Sequence, residues 1–198
     1  MKYVKLLLAC GLFVTTLVLV YLIHVMFFTV NVVFYGAIAD GVIATALALV
    51  LISVIPLFRC FSIFEKIQMA LIWLLLGYSF AISVPTVIDR SLSFYILEKL
   101  QQRGGGIKLS AFEELLTKEY VKEHRLVDVR LTEQLQSGTI NIVDGCVKLT
   151  AWGDTLATSS RFFRNNFLPK RRLLMGEYSS DLTDPFKSSR ANVDYYCK

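Results

Sequence analysis

Residues 42–58 read VIATALALVLISVIPLF, seventeen positions without a charge. As a helix rising 1.5 Å per residue this stretch is about 25 Å long, close to the thickness of a bilayer's hydrocarbon core. On its N-terminal side the break YGAIADG, with Gly36, Asp40 and Gly41, separates it from a longer apolar run, Leu6 to Tyr35. That run is interrupted only by threonines, His24 and Asn31. A cleaved signal peptide has a shorter apolar core and a small-residue cleavage site, so this one reads as a retained anchor. On the C-terminal side, RCFSIFEK brings Arg59, Glu65 and Lys66, and IQMALIWLLLGYSFAISVPTVI then runs apolar to Asp89 and Arg90. The reading is three spans, at about residues 6–30, 38–58 and 67–88, forming a transmembrane domain over 1–88. Pro56 and Pro85 fall near span ends, where a lost intrahelical bond is tolerated, and should mark bends or exits.

Composition agrees. Of 198 residues, 55% are hydrophobic, and the mean hydropathy is +0.54, above that of an ordinary soluble domain. The net charge is +5, yet residues 1–88 carry only Lys2, Lys5, Asp40, Arg59, Glu65 and Lys66. The other 17 Lys/Arg and 14 Asp/Glu follow residue 88, so two solvents are written into one chain. The modest basic excess suits an anionic membrane surface as well as nucleic acid. Cys10, Cys60, Cys146 and Cys197 are far apart and form no C-x-x-C pair, which indicates free thiols and no zinc or redox motif. A Cys146–Cys197 disulfide is the pairing left open if the second half faces an oxidising compartment.

Three crossings put the termini on opposite sides. Lys2, Lys5, Arg59 and Lys66 flank one face, and Arg90, Lys99, Arg103 and Lys108 follow span three on the other. That count is even. The two leading lysines favour a cytoplasmic N-terminus; the basic run at 170–172 and the usual compartment of the second domain's fold favour a cytoplasmic C-terminal domain, towards which the balance leans.

After the spans, SLSFYILEKLQQR (91–103) has helical register and is stopped by Gly104 to Gly106. IKL (107–109) is a strand candidate. Ser110 and Glu113 fit a capping box opening a second helix with Phe112, Leu115, Leu116 and Tyr120 on one face. Asp128 is placed to cap a third helix, ended by Gly138; TINIV and CVKL then flank Asp144-Gly145, a pair suited to a two-residue hairpin turn. Thr150 can cap a last helix, AWGDTLATSSRFFRNNF. Helix, strand, helix, helix, hairpin and helix in this order resemble the winged-helix family, over about residues 90–167, the domain being placed at 89–168. The fold class expected is a mainly α membrane protein: three transmembrane helices followed by a small α+β winged-helix-like domain.

The resemblance implies that the third helix, with Arg130, Gln134 and Gln136, would be the DNA-contacting element. That helix also carries Glu133, and the wing tip is Asp144, a poor set for neutralising phosphates. Within the spans His24 and Asn31, seven residues apart, should share a helix side and line a polar path or find neighbouring partners, and Asp40 reads as a solvated loop carboxylate, with a proton or ion ligand as the alternative. Asp89 and Arg90 sit at the junction, able to cap the next helix or to meet a partner or lipid headgroups. Lys170, Arg171 and Arg172 lie between apolar residues and suit lipid headgroups or a solvated basic link. Residues 169–198 form this basic segment and an extended tail from Glu177, in which Tyr195 and Tyr196 offer partner contacts.

No G-x-S-x-G, G-x-x-x-x-G-K-[ST] or H-E-x-x-H motif occurs, so no catalytic residue, cofactor site or metal ligand is assigned. The expectation is a non-catalytic accessory or regulatory subunit of a larger membrane complex, with the second domain as a protein-docking module. The layout resembles chains that accompany bacterial envelope-polysaccharide glycosyltransferases; that resemblance implies an integral-membrane glycosyltransferase partner and the bacterial inner membrane. The alternatives are a membrane-tethered winged-helix transcription regulator binding nucleic acid, and a small enzyme acting on a lipid-linked substrate near Asp89.

Overall fold

The computed structural model describes residues 2–183 and 185–186. The chain divides into two compact units, Met1–Leu126 and Val127–Lys198, so the first two helices expected in the second domain group with the spans.

In the first unit three helices are long and apolar enough to cross a membrane: α1 (Lys2–Phe27), α2 (Val33–Val54) and α3 (Ile63–Arg90). Helix α2 begins five residues before the expected 38 and takes the Gly36–Gly41 break into its own first turns. Glycine weakens a helix in water, but in hydrocarbon the backbone has nothing else to bond and stays helical. Pro56 ends α2 by holding Ile55 in an extended conformation, ψ 122°. Ser62 starts α3 with a capping box: its hydroxyl accepts from the Glu65 amide at 3.3 Å, and the Glu65 carboxylate accepts from the Ser62 amide at 2.9 Å. Pro85 lies in a π turn, Ile82–Thr86, that widens α3 where the proline offers no N–H. The helix therefore continues to Arg90, and Ser91, in place of Asp89 or Arg90, caps the next element by accepting from the Phe94 amide.

The interior of the bundle is built from small residues beside large ones. Gly41 of α2 and Gly77 of α3 bring two backbones together: a Cβ added at Gly77 would lie 3.0 Å from the Gly41 Cα. Beside this contact Trp73 stacks on Phe13 with ring centroids 5.2 Å apart, and Ala44, Ala48, Ile52 and Met69 belong to the same buried cluster. Elsewhere, Leu7, Val14, Leu19, Val50, Leu71 and Leu75 are exposed, as the lipid-facing side of a membrane bundle is.

Two further helices follow, α4 (Leu92–Gln102) and α5 (residues 112–123, with a π turn over Leu115–Tyr120). The strand expected at IKL is absent; Leu109–Ala111 forms a 3-10 turn, in which the Ala111 amide donates to the Lys108 carbonyl. Ser110 is inside that turn, so the capping box with Glu113 does not form.

The second unit begins one residue into α6 (Leu126–Gln136), a helix that starts two residues ahead of Asp128, so that Asp128 lies in its first turn instead of capping it. Gly138, φ 69°, turns the chain into strands β1 (Ile140–Val143) and β2 (Cys146–Leu149), paired Ile140 with Leu149 and Val143 with Cys146. Asp144 and Gly145 take φ 52° and 73°, the left-handed pair of a two-residue hairpin turn. Thr150 then caps α7 (Ala151–Phe167), accepting from the Gly153 amide at 3.0 Å while donating to the Gly138 carbonyl at 2.8 Å. A second hairpin joins β3 (Arg172–Leu174) to β4 (Glu177–Ser179) through Met175 and Gly176, both at positive φ. The extended tail expected from Glu177 is thus ordered at its start; Tyr195, Tyr196 and Cys197 lie outside the described residues. Cys146 is disulfide-bonded, in place of the free thiol expected, whereas Cys10 and Cys60 are free.

Candidate functional site

The charge most deeply placed in the membrane unit is Asp40. It is 2% exposed, and its Oδ1 lies 2.7 Å from Nδ1 of His24. The local sequence explains the meeting. Gly36, one turn before Asp40, leaves room for the imidazole: a Cβ there would come within 3.4 Å of His24 Cε1. Asp40 is therefore a helical residue facing α1, not the solvated loop carboxylate expected. Asn31 parts from His24, because α1 ends at Phe27 and Asn31 lies exposed in the link to α2.

The hydrogen bond between His24 and Asp40 offsets part of the penalty of placing a carboxyl group among apolar helices. Only one carboxylate oxygen is used, since Oδ2 of Asp40 is buried with no hydrogen-bond partner. Chemically the dyad can hold a proton and accept one further hydrogen bond. The single-sequence signal for it was the coincidence of a histidine and an aspartate in adjacent apolar runs.

A second polar cluster was not anticipated. Lys99 of α4 is 6% exposed, and its Nζ donates to Glu123 Oε1 at 2.7 Å and pairs with Glu119 Oε2 at 2.9 Å; Tyr95 donates to Glu123 Oε2 at 2.9 Å. The spacings Tyr95/Lys99 and Glu119/Glu123, each four apart on its helix, were the signal available. Hydrogen bonds to Glu123 and Glu119 raise the pKa of Lys99 well above its usual value, and the same bonds from Lys99 hold both carboxylates below theirs. The Tyr95 phenol is pushed up, first by burial and then by its bond to Glu123. These satisfied, mutually oriented groups tie α4 to α5.

Of the junction residues, Asp89 is exposed, and the Arg90 guanidinium lies over the Phe34 ring, 5.9 Å from its centroid. Among the DNA-contact candidates, Arg130 donates to Glu133 at 2.7 Å and Gln134 accepts from the Thr139 hydroxyl, and both Gln134 and Gln136 are exposed. The run 170–172 is not a free link: Arg171 Nη2 donates to the Tyr178 carbonyl at 3.2 Å, Arg172 belongs to β3, and the Lys170 carbonyl accepts from Thr183. Among the described residues no group of three His, Cys, Asp or Glu side chains is arranged to hold a metal ion. No protein family, curated protein or solved structure gives a match to this chain.

Proposed function

We propose that the chain is a non-catalytic integral-membrane accessory or regulatory subunit of a larger membrane complex, whose second unit, part of the winged-helix-like module, docks on a protein partner. One observation carries this reading. Among the described residues from 127 onward, Ile140 is the single apolar side chain that is buried, while Val127, Val129, Leu135, Ile142, Val143 and Val147 are exposed on α6 and the β1–β2 hairpin. A folded unit without an interior of its own completes one against another surface. The same two elements carry Asp128, Arg130, Glu133, Asp144 and Lys148, a balance of charge that fits a protein better than a phosphate backbone.

The disulfide at Cys146 supports placing this unit on an oxidising side of the membrane, the reverse of the cytoplasmic placement towards which the charges lean. Lys2, Lys5, Arg59 and Lys66 would then share the cytoplasmic face, and the equal number of bases after span three does not oppose this, since large domains translocate largely regardless of charge. The layout's resemblance to partners of bacterial envelope-polysaccharide glycosyltransferases names the partner class to examine first, in the inner membrane.

Purification in mild detergent, with identification of co-purifying proteins, tests the assignment. An integral-membrane partner lost on Val143→Asp or Val147→Asp supports it, and a partner-free monomer refutes it. Salt-sensitive binding of duplex DNA would favour the tethered regulator instead. A membrane-impermeant maleimide applied to intact cells should label Cys146 only after an impermeant reductant; no labelling under either condition returns the unit to the cytoplasm.

A further inference from the structure

Helix α7 carries a second apolar surface of different character. At 100° per residue Trp152, Leu156, Phe163 and Phe167 fall within about 60° of one another around the helix. All four are exposed; Trp152 is 55% and Phe167 64% accessible. Phe163 and Phe167 pack with centroids 5.3 Å apart, so the stripe ends in an aromatic cluster at the C-terminal turns. The β3–β4 hairpin follows, with Leu173 58% and Met175, at its tip, 86% exposed.

The charges here differ from those of the first face. Over residues 151–179 the bases are Arg161, Arg164, Lys170, Arg171 and Arg172, against Asp154 and Glu177. Around α7, Arg164 lies about 60° beyond the Phe167 edge of the stripe, whereas Asp154 and Arg161 both point about 160–180° from Trp152, on the far side, where their charges offset each other. An aromatic stripe flanked by Arg164 and followed at its C-terminal end by Lys170, Arg171 and Arg172 is the pattern of an interfacial element, whose rings enter the headgroup layer while its cations meet lipid phosphates. The chain also brings such a surface with it, since three spans hold this unit at a bilayer and make the encounter intramolecular.

We propose that α7 and the β3–β4 hairpin form a membrane-docking surface that seats on anionic headgroups of the bilayer holding the spans. This leaves the α6 and β1–β2 face for the protein partner, and it stands or falls separately from that assignment, because it needs no second protein.

The test uses the full chain reconstituted into vesicles whose acyl chains are brominated near the headgroups. Trp73 and Trp152 are the two tryptophans, so Trp73→Phe isolates Trp152. The intact chain compared with Trp152→Phe gives the same signal with Trp73 left in place, which guards against a folding defect. In phosphatidylglycerol-rich vesicles Trp152 should lose most of its emission to the bromines and become shielded from aqueous iodide. Both effects should weaken in phosphatidylcholine alone. Each base near an anionic surface strengthens attachment about fivefold. Arg164→Glu with Lys170→Glu should therefore release the surface by at least about 25-fold, and Lys148→Glu on β2 should not. A Trp152 that remains open to iodide in anionic vesicles overturns the proposal. So does one shielded in a way that depends on protein concentration and not on lipid charge, which would assign the surface to a second copy of the chain.

Discussion

Alanine at Gly77 should force α2 and α3 apart. Its Cβ would lie 3.0 Å from the Gly41 Cα, and the reciprocal Cβ at Gly41 would lie 3.1 Å from the Gly77 Cα. Ordinary carbon contacts are at about 3.5–4.0 Å, so the helices must separate by roughly 0.5–1 Å at this point. Neither side can give by rotating a side chain, because each meets backbone. A gap of that size forfeits about a quarter to a half of each neighbouring dispersion contact, among them those of Ala44, Ala48 and Trp73. Overpacking of this kind costs about 1–3 kcal/mol, and the intrinsic helix gain of alanine over glycine returns about 0.5–1. The net expectation is a loss of about 1–2 kcal/mol, and a larger one for Gly77→Leu. Gly11→Ala in α1 is the control, since nothing lies within 4 Å of a Cβ there, and it should be neutral or stabilising. Unfolding by increasing mole fraction of dodecyl sulfate in mild detergent, followed by Trp73 emission in a Trp152→Phe background, reads the bundle core directly. If Gly77→Ala unfolds no earlier than Gly11→Ala, the close crossing does not organise the membrane unit.

His24→Ala leaves the Asp40 carboxyl buried and unbonded at a loss of about 1–3 kcal/mol; His24→Ala with Asp40→Leu should recover part of it in the same titration, and a double variant weaker than the single one would show that the dyad has no structural role. In the second unit Thr150→Ala removes a cap for about 1 kcal/mol, and Gly153→Ala should do more harm, because its Cβ would land on the Thr139 carbonyl; hydrogen exchange of residues 151–167 gives the comparison. The α4–α5 attachment should respond to acid. Glu119 and Glu123 have lowered pKa values in the fold, so their contribution is complete above the unfolded value near 4.3 and disappears as pH falls through the folded values. Lys99, raised, contributes fully below about 10.4 and loses its part only at higher pH still. Exchange protection of α4 should be flat between about pH 5 and 10 and fall below about pH 4; Glu123→Gln should lower the plateau, and equal protection at pH 3 and pH 7 would exclude the ion cluster as the attachment.

How far each feature was legible follows from how local its cause is. The Asp144-Gly145 hairpin and the Thr150 cap were readable because each is decided within a few residues: one by left-handed backbone at two positions, the other by a hydroxyl reaching the amide three residues on. The Ser110 capping box failed for a reason equally local but invisible in composition, a 3-10 turn over Leu109–Ala111 that holds the serine inside it and leaves Ala111 at the start of the following helix.

The sequence by itself determined that three segments are long and apolar enough to cross a membrane, because transfer free energy accumulates along the chain whatever the partners. Only the tertiary structure decided that Asp40 turns inward to His24, that Gly41 and Gly77, far apart in the chain, meet at a helix crossing, and that Lys99 lies between two carboxylates. Those pairings depend on how far each helix rotates about its axis and where it ends. Both are set by packing among elements distant in the chain, for which a single sequence carries no additive signal.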